Sequence, residues 1–435
     1  MSVGLAGAVH PDEAFADCLA RRLDGEGPLG VAVSGGGDSV ALLCRLAEWG
    51  RRPLHVFCVD HGLNPASGVW TQGVADHARR AGAAFTPLHW TGVKPATGLS
   101  AAARRARHAL LADAARAAGV RVLCLAHTRD DVREAGWMRA QGSNVTAPAE
   151  WSPSPAWPQG RGVFLLRPLL DHGREDLRRE LRGRGVAWVD DPANAHPSSL
   201  RARARLADKD EPAGTDAPVL PPGRMDALLD RQWAGQGVIV LRREIFGDLP
   251  AAVARKVLAA AAVCAGGGDR LPRGGSLDGL VSDRPRTLCG ARVWQSGGGI
   301  FVAREAGDIG RNGTGRLELA AGTEAMWDGR YAIRAAAGGS IVASGRARDR
   351  LAEADRAALM RLPAAVRGIL PVLDDNFPAH DLSNLRLLGQ SGETGVECVD
   401  WVLPRFVAAC GVADRESRVG LDLAKAVAKP QTLPI

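Results

Sequence analysis

The stretch VAVSGGGDSVALL, residues 31–43, decides the fold. An apolar run ends at Ser34, three glycines follow, then Asp38 and Ser39, and a second apolar run begins. Glycines between a strand and a helix permit positive φ and let backbone N–H groups converge with no Cβ in the way. Those amides, with the amino end of the next helix, form a cradle for phosphate. The lysine of a Gly-x-x-x-x-Gly-Lys-Ser/Thr loop is missing, and Ser34 and Ser39 supply hydroxyls instead. Asp38 alone would repel a phosphate, so its presence implies a magnesium ion shared with a nucleotide. The plain alternative is a glycine turn with no ligand. Another Ser-Gly-Gly-Gly, residues 296–299, acts as a control: it runs straight into the strand-like IFVARE and reads as a hairpin turn. Only the first stretch has a strand before, a helix after and an acid within.

Outward from that junction the chain alternates. Residues 29–34, 53–60, 84–90, 120–126 and 164–170 read as strands. Residues 39–50, 69–82, 100–119, 130–140 and 175–185 read as helices. Continuous apolar strands alternating with helices imply a parallel, doubly wound sheet covered on both faces. Ligands then belong at the carboxyl ends of its strands. Residues 144–160, rich in proline and tryptophan, read as an ordered loop or lid, in which Trp151 and Trp157 fill space or meet bases. A charged, Pro-rich linker covers 208–223. A helical unit follows from about 225 to 283, then a strand pair over 286–305. The last unit opens with the strand-like TEAMWDGRYAIRA.

The chain has 435 residues, 24% of them charged, and a formal net charge of +7. Arginine far outnumbers lysine, which suits a polyanionic partner, although a high-GC genome also inflates arginine. No pair among the eight cysteines is spaced Cys-x-x-Cys, so they read as small buried hydrophobes in a reducing compartment. With no signal peptide and no apolar run near the roughly 20 residues a bilayer needs, the expectation is a soluble, cytoplasmic protein. Oligomeric state is not legible.

SGGGDS, residues 34–39, resembles the PP-loop of the N-type ATP pyrophosphatases, which cleave ATP between its α- and β-phosphates. Further stretches narrow the likeness: VDHGLNPAS (59–67), GLSAAARRARHALL (98–111), LAHTRDDVREAGWMR (125–139), RPLL (167–170) and WVDDPANAHPSSLRARAR (188–205). In this order they are similar to the bacterial tRNA(Ile)-lysidine synthetases, as are PRTLCGARVW, FVARE, WDGRY and VRGILPVLDD later on. The resemblance implies an adenine nucleotide alpha hydrolase-like sheet domain, followed by a small helical domain and a smaller mixed C-terminal domain. The implied boundaries are 1–207 for catalysis, 208–223 for the linker, and 224–310 and 311–435 for two tRNA-binding domains.

It also implies a reaction. ATP adenylates the C2 carbonyl of the wobble cytidine in a CAU anticodon of tRNA(Ile), and the ε-amine of free L-lysine displaces AMP. The loop residues Ser34, Gly35, Gly36, Gly37, Asp38 and Ser39 would bind ATP, and Asp38 would hold Mg2+. His127, at a strand end, would carry a proton or touch the α-phosphate; a core histidine is the plainer alternative. Asp131 and Glu134 share a helical face beside it, and the family's residues at these places recognise lysine. A helix amino end also favours acids with no such role. Arg104 and Arg107 form one stripe with Leu111, and Arg201 and Arg205 form another; both pairs would serve ATP or RNA phosphates. Asp38, His127, Arg104 and Arg205 are the candidate catalytic set.

The chain departs from the family's common pattern at Ser100, His108, Val132 and Ala135, where glutamine, tyrosine, glutamine and threonine are usual. The segment after Arg139 is rewritten. Two rival readings remain: another PP-loop tRNA-modifying enzyme, or a tRNA-binding homologue with altered chemistry. A thiolase would need paired cysteines, and an amidotransferase a cysteine where Ser2 stands.

Overall fold

The computed structural model describes residues 11–143, 145–190, 200–207, 220–221, 223–272, 274–311, 315–374, 385–388 and 395–418. Two compact units emerge: Met1–Ala217 with Asp414–Gly420, and Pro218–Ala413 with Leu421–Ile435.

The first unit contains α1 (Pro11–Arg22), β1 (Leu29–Ala32), α2 (Gly37–Trp49), β2 (Leu54–Asp60), α3 (Ser67–Arg80) and β3 (Ala84–His89). It continues with α4 (Leu99–Ala117), β4 (Val122–Cys124), α5 (Arg129–Ala140), β5 (Trp151–Pro153), β6 (Phe164–Leu166), α6 (Arg174–Gly183) and α7 (Leu200–Leu206). The sheet order is β3-β2-β1-β4-β6-β5, with every pairing parallel except that of β5. The doubly wound sheet expected from the alternation is therefore present. Side-chain alternation explains why the strands read as unbroken apolar runs. Val122, Cys124 and Leu166 enter one core with α1, α2 and α6, whereas Leu123, Leu125 and Leu165 enter another with Leu111 and Ala115 of α4. Gly50 stops α2 in the left-handed conformation (φ 62°), its N–H returning to the Leu46 carbonyl.

The loop expected over 144–160 holds a short strand. β5 pairs antiparallel with β6 at the sheet margin, an edge position where Pro153 forfeits no interior ladder bond. Trp151 stacks on Phe164 with centroids 5.0 Å apart, so this tryptophan packs. Asn144 lies outside the described residues, as do Ser198 and Ser199 before α7 and most of the 208–223 linker.

The second unit runs α8 (Arg224–Leu228), β7 (Val238–Arg242), α9 (Arg243–Gly247), α10 (Ala251–Gly266), β8 (Arg286–Leu288), β9 (Ala291–Ser296), β10 (Gly299–Arg304), α11 (Ala306–Arg311) and β11 (Arg316–Leu319). It continues β12 (Glu324–Trp327), β13 (Tyr331–Ala335), β14 (Gly339–Ala343), α12 (Ser344–Ala347), α13 (Glu353–Met360), β15 (Pro371–Asp374), β16 (Leu385–Leu387), β17 (Val396–Asp400) and α14 (Val402–Ala409). Its sheets are ordered β7-β10-β9-β8, β11-β14-β15-β16 and β12-β13-β17. The apolar helix α10 and α14 share a core with the first of them. The stretch read as helical from 225 thus also carries β7. Gly297 and Gly298, both at positive φ, turn the β9–β10 hairpin, as the control stretch implied.

Candidate active site

The strand order reverses between β1 and β4, one leading outward to β2 and the other to β6. At such a switch point the loops after two neighbouring strands diverge and leave a crevice at their carboxyl ends. The loop after β1 is the Ser34–Ser39 stretch. Gly35 has φ +85°, a conformation costly for any residue with a Cβ. Ser39 ties the turn together: its hydroxyl donates to the Gly36 carbonyl (2.8 Å) and accepts from the Ser34 amide (3.2 Å). Gly36 caps α2 with no side-chain hydrogen bond, so no cap side chain takes up the amides of the first turn. A Cβ on Gly36 or Gly37 would meet its nearest protein atoms no closer than 3.4 Å. Internal packing therefore does not demand glycine there, and the bare backbone leaves room for close approach of a ligand. The strap before residue 191 lies over the loop, its Val189 amide donating to the Gly35 carbonyl at 2.9 Å.

A cavity of about 520 Å3 opens over this loop. Ala32, Val33, Phe57, Val59, Leu111 and Leu125 make an apolar side. Ser34, Gly36, Gly37, Asp38, Ser39, His61, His127, Asp131 and Asp190, with the arginines 107, 174, 178 and 205, make the polar remainder. Such a mixture suits a flat base on one side and phosphates on the other.

Charge is concentrated at one point. Arg174, the first residue of α6, donates from Nε to Asp38 Oδ2 (3.0 Å) and from Nη1 to Glu134 Oε1 (3.0 Å). Its Nη2 lies 3.6 Å from Asp131 Oδ1. Arg205 adds a bond from Nε to Glu134 Oε1 at 3.1 Å. Asp131 is also a helix cap, its Oδ2 accepting from the amide and hydroxyl of Thr128 (2.9 and 3.1 Å). Burial pushes the Asp38 carboxyl above the usual aspartate range, and Arg174 offsets this only in part. Arg174 stays firmly cationic: burial alone would weaken it, but Asp38, then Asp131 and Glu134, more than compensate.

A family model described as a PP-loop domain matches residues 11–208. The chain is 43% identical over 415 residues to a protein of Caulobacter vibrioides named tRNA(Ile)-lysidine synthase, spanning 92% of this chain and 97% of that one. Proteins of the same name from Rhizobium meliloti and Hyphomonas neptunium are 32% and 34% identical, over 70% and 69% of this chain and 72% and 87% of theirs. The chain belongs to the tRNA(Ile)-lysidine synthase family.

Within this lysidine synthase fold the structure gathers most, though not all, of the residues singled out in the sequence. Ser34, Gly36, Gly37, Asp38, Ser39, Arg107, His127, Asp131 and Arg205 line one cavity. Gly35 turns the loop behind it, and Glu134, 1% exposed at its side chain, lies beneath the two arginines. Arg104 is different: it is exposed, one turn before Arg107, and is not among the lining residues. Arg201 is on α7, but its side chain lies outside the described part.

Two histidines near the basic stripe are held neutral. His61 is pushed down by burial and then by Arg107. His108 is pushed down to about 3, by burial first and then by Arg107, Arg104, Arg167 and His127. Arg167 is itself buried, donating to the Ala149 carbonyl (2.6 Å) and to Ser152 Oγ (3.1 Å).

Sequence reasoning missed Arg174 and Arg178. A signal existed: Arg174 opens a helix whose first turn carries Glu175 and Asp176. A cation at a helix amino end is locally unfavourable, so it asks for a partner elsewhere. The partners come from α2 and α5, which no local pattern connects to α6.

Proposed function

We propose that this chain makes lysidine in the CAU anticodon of tRNA(Ile), as an ATP-dependent ligase that joins free L-lysine to C2 of the wobble cytidine and releases AMP and diphosphate. Membership of the lysidine synthase family supports tRNA lysidine formation with ATP. The observation that carries the finer reading is the single cavity that joins a bare-backbone loop, His127, the arginines 107 and 205, and the acids of α5.

The roles follow from chemistry. The Ser34–Ser39 amides and hydroxyls hold the departing diphosphate, and the apolar side takes the adenine. Asp38 suits Mg2+: its Oδ1 is a buried oxygen without a hydrogen-bond partner among the described residues. No cluster of three His, Cys, Asp or Glu among those residues could hold a metal alone, so Asp38 would share the ion with ATP phosphates. Bound there, the ion neutralises diphosphate charge. Arg107 and Arg205 stabilise the negative charge gathering on the α-phosphate as the cytidine oxygen attacks. Asp131 and Glu134 attract the lysine ammonium, and His127 or one of these acids accepts the proton its amine must lose before attacking C2. Arg104 and Arg201, with the residues 224–310 and 311–435, grip the tRNA backbone, which makes binding salt-sensitive.

Among the described residues no helix is long and apolar enough to cross a membrane. We place the enzyme in the cytoplasm, where ATP, lysine and tRNA meet. The test is direct: the protein, ATP, magnesium, lysine and the CAU-anticodon tRNA(Ile) should yield AMP and diphosphate together, with a lysine-sized mass gain at the wobble nucleoside. AMP without that mass gain, or no turnover, refutes the assignment.

A further inference from the structure

Arg174 already does what a substrate cation would do. Its guanidinium sits among Asp38, Asp131 and Glu134, and Arg205 takes up the same Glu134 oxygen. Oδ2 of Asp131 accepts from Thr128, and its Oδ1 lies beside Arg174. An incoming ammonium must compete with both guanidiniums for these acids. We propose that Arg174 is a positioning residue that occupies the lysine carboxylates until nucleotide arrives, so that lysine binds well only to the ATP-loaded enzyme.

Arg174 lines the same cavity as the diphosphate-binding loop, and its other contact is Asp38 within that loop. A planar guanidinium prefers the fork of a phosphate, where two oxygens match two N–H groups. Triphosphate entering beside Asp38 brings negative charge to one end of the cluster and draws Arg174 toward it. The turn requires only side-chain rotation, because the Arg174 amide stays bonded to Asp130 Oδ2 at 2.8 Å. Asp131 and Glu134 share Arg174 with Asp38. Once Arg174 pairs with phosphate, these two acids lose one cationic partner and an ammonium takes its place. The order suits the chemistry, because an amine is then admitted only where the group that activates its target is already bound.

This inference rests on the reading that Asp131 and Glu134 bind lysine, and the experiment separates the two. Equilibrium dialysis with radiolabelled lysine is run on the full-length protein, with and without α,β-methylene ATP plus magnesium, for wild type, Arg174→Gln and Glu134→Gln. Wild type should bind lysine roughly tenfold or more tighter with the analogue, and lysine should tighten the analogue by the same factor. Arg174→Gln should bind lysine alike in both states. Equal wild-type affinity in the two states, or binding in neither, overturns the proposal, as does full coupling in Arg174→Gln. Equal wild-type affinities overturn the proposal even if that variant fails to fold, and Arg174→Lys, which keeps the charge and loses the fork, then replaces it: coupling as strong as in wild type overturns the proposal too. Unchanged lysine binding by Glu134→Gln would instead overturn the lysine-site reading; loss of binding there beside nucleotide-independent binding in wild type would overturn the ordering alone.

Discussion

His108 should make the first unit acid-sensitive, and replacing it should remove its share of that sensitivity. The residue is 4% exposed on α4, and neither ring nitrogen has a hydrogen-bond partner among the described residues. Burial, with Arg107, Arg104, Arg167 and His127 around it, pushes its pKa from 6.5 to about 3. A folded-state pKa below the unfolded one means that protons favour the unfolded chain. The proton-linked cost is therefore absent above pH 6.5, and stability is lost as pH falls from there toward 3. At pH 5 the unfolded histidine is protonated and the folded one is not. The difference is 6.5 − 5 = 1.5 pH units, or about 2 kcal/mol at 1.36 kcal/mol per unit. In His108→Phe the penalty disappears. Any packing cost of the exchange is the same at both pH values, so it cancels when the variant is compared with wild type at pH 8 and pH 5. Urea unfolding followed by amide hydrogen exchange of α4 peptides reads the right unit whatever the second unit does. The variant should gain about 2 kcal/mol on wild type between pH 8 and pH 5. Parallel pH profiles would refute the reasoning, because they would mean that the ring is protonated or solvated in the fold.

Further outcomes are expected at three places: Asp38, the glycines of the loop, and the Arg52–Glu416 pair. Asp38→Asn should lower ATP turnover by at least about a hundredfold. Because burial raises the Asp38 pKa, the wild-type acid limb of kcat/KM, with activity present above it and lost below, should lie above the ordinary aspartate range. Gly36→Ala should leave stability within about 1 kcal/mol while raising KM for ATP, since the new methyl meets only ordinary contacts at 3.6 Å and beyond; Gly35→Ala, at φ +85°, should also lower the melting temperature. Arg52 and Glu416 form a buried two-bond pair (2.6 and 2.8 Å), so Glu416→Ala should cost the first unit roughly 3–5 kcal/mol, and Arg52→Met with Glu416→Leu should recover most of it.

The sheet was legible because each of its central strands is buried on both faces and announces itself as an apolar run. The loop was legible because glycine, serine and an acid have one shared reason to stand between a strand and a helix. Helical spacing correctly put Asp131 and Glu134 on one face. The same spacing failed to separate Arg104 from Arg107, because a stripe tells which residues align and not where the helix leaves the sheet's edge. β7 was lost inside a helical stretch: five apolar-to-basic residues, VIVLR, fit a buried helix turn equally well, and their partner β10 lies far along the chain. Arg174 was out of reach for a related reason. Its three acids come from α2 and α5, and only tertiary folding brings α6 to them.

The convergence on Arg174 answers an electrostatic problem that the reaction itself poses. On the proposed function, one cavity must accept a polyanionic nucleotide and a cationic amino acid whose amine must finally be neutral. Acids placed near the loop would repel the first, and arginines placed near the acids would repel the second. Pairing the two sets removes both penalties before either substrate enters. At an effective dielectric of 20, two unit charges 4 Å apart interact by about 4 kcal/mol, so acids left with neither an arginine nor a metal ion beside them would oppose a polyanion. The pairing also keeps Glu134, nearly sealed from water, from being a lone buried charge. It works only if the guanidinium is released when phosphate takes its place, and a side chain at the first position of a helix, anchored by its backbone to Asp130, can turn without moving the fold. Arg174→Lys would keep the charge and lose the fork. It should therefore preserve stability and weaken ATP binding, and unchanged ATP affinity in that variant would show that a point charge suffices and that fork geometry has no part in the exchange.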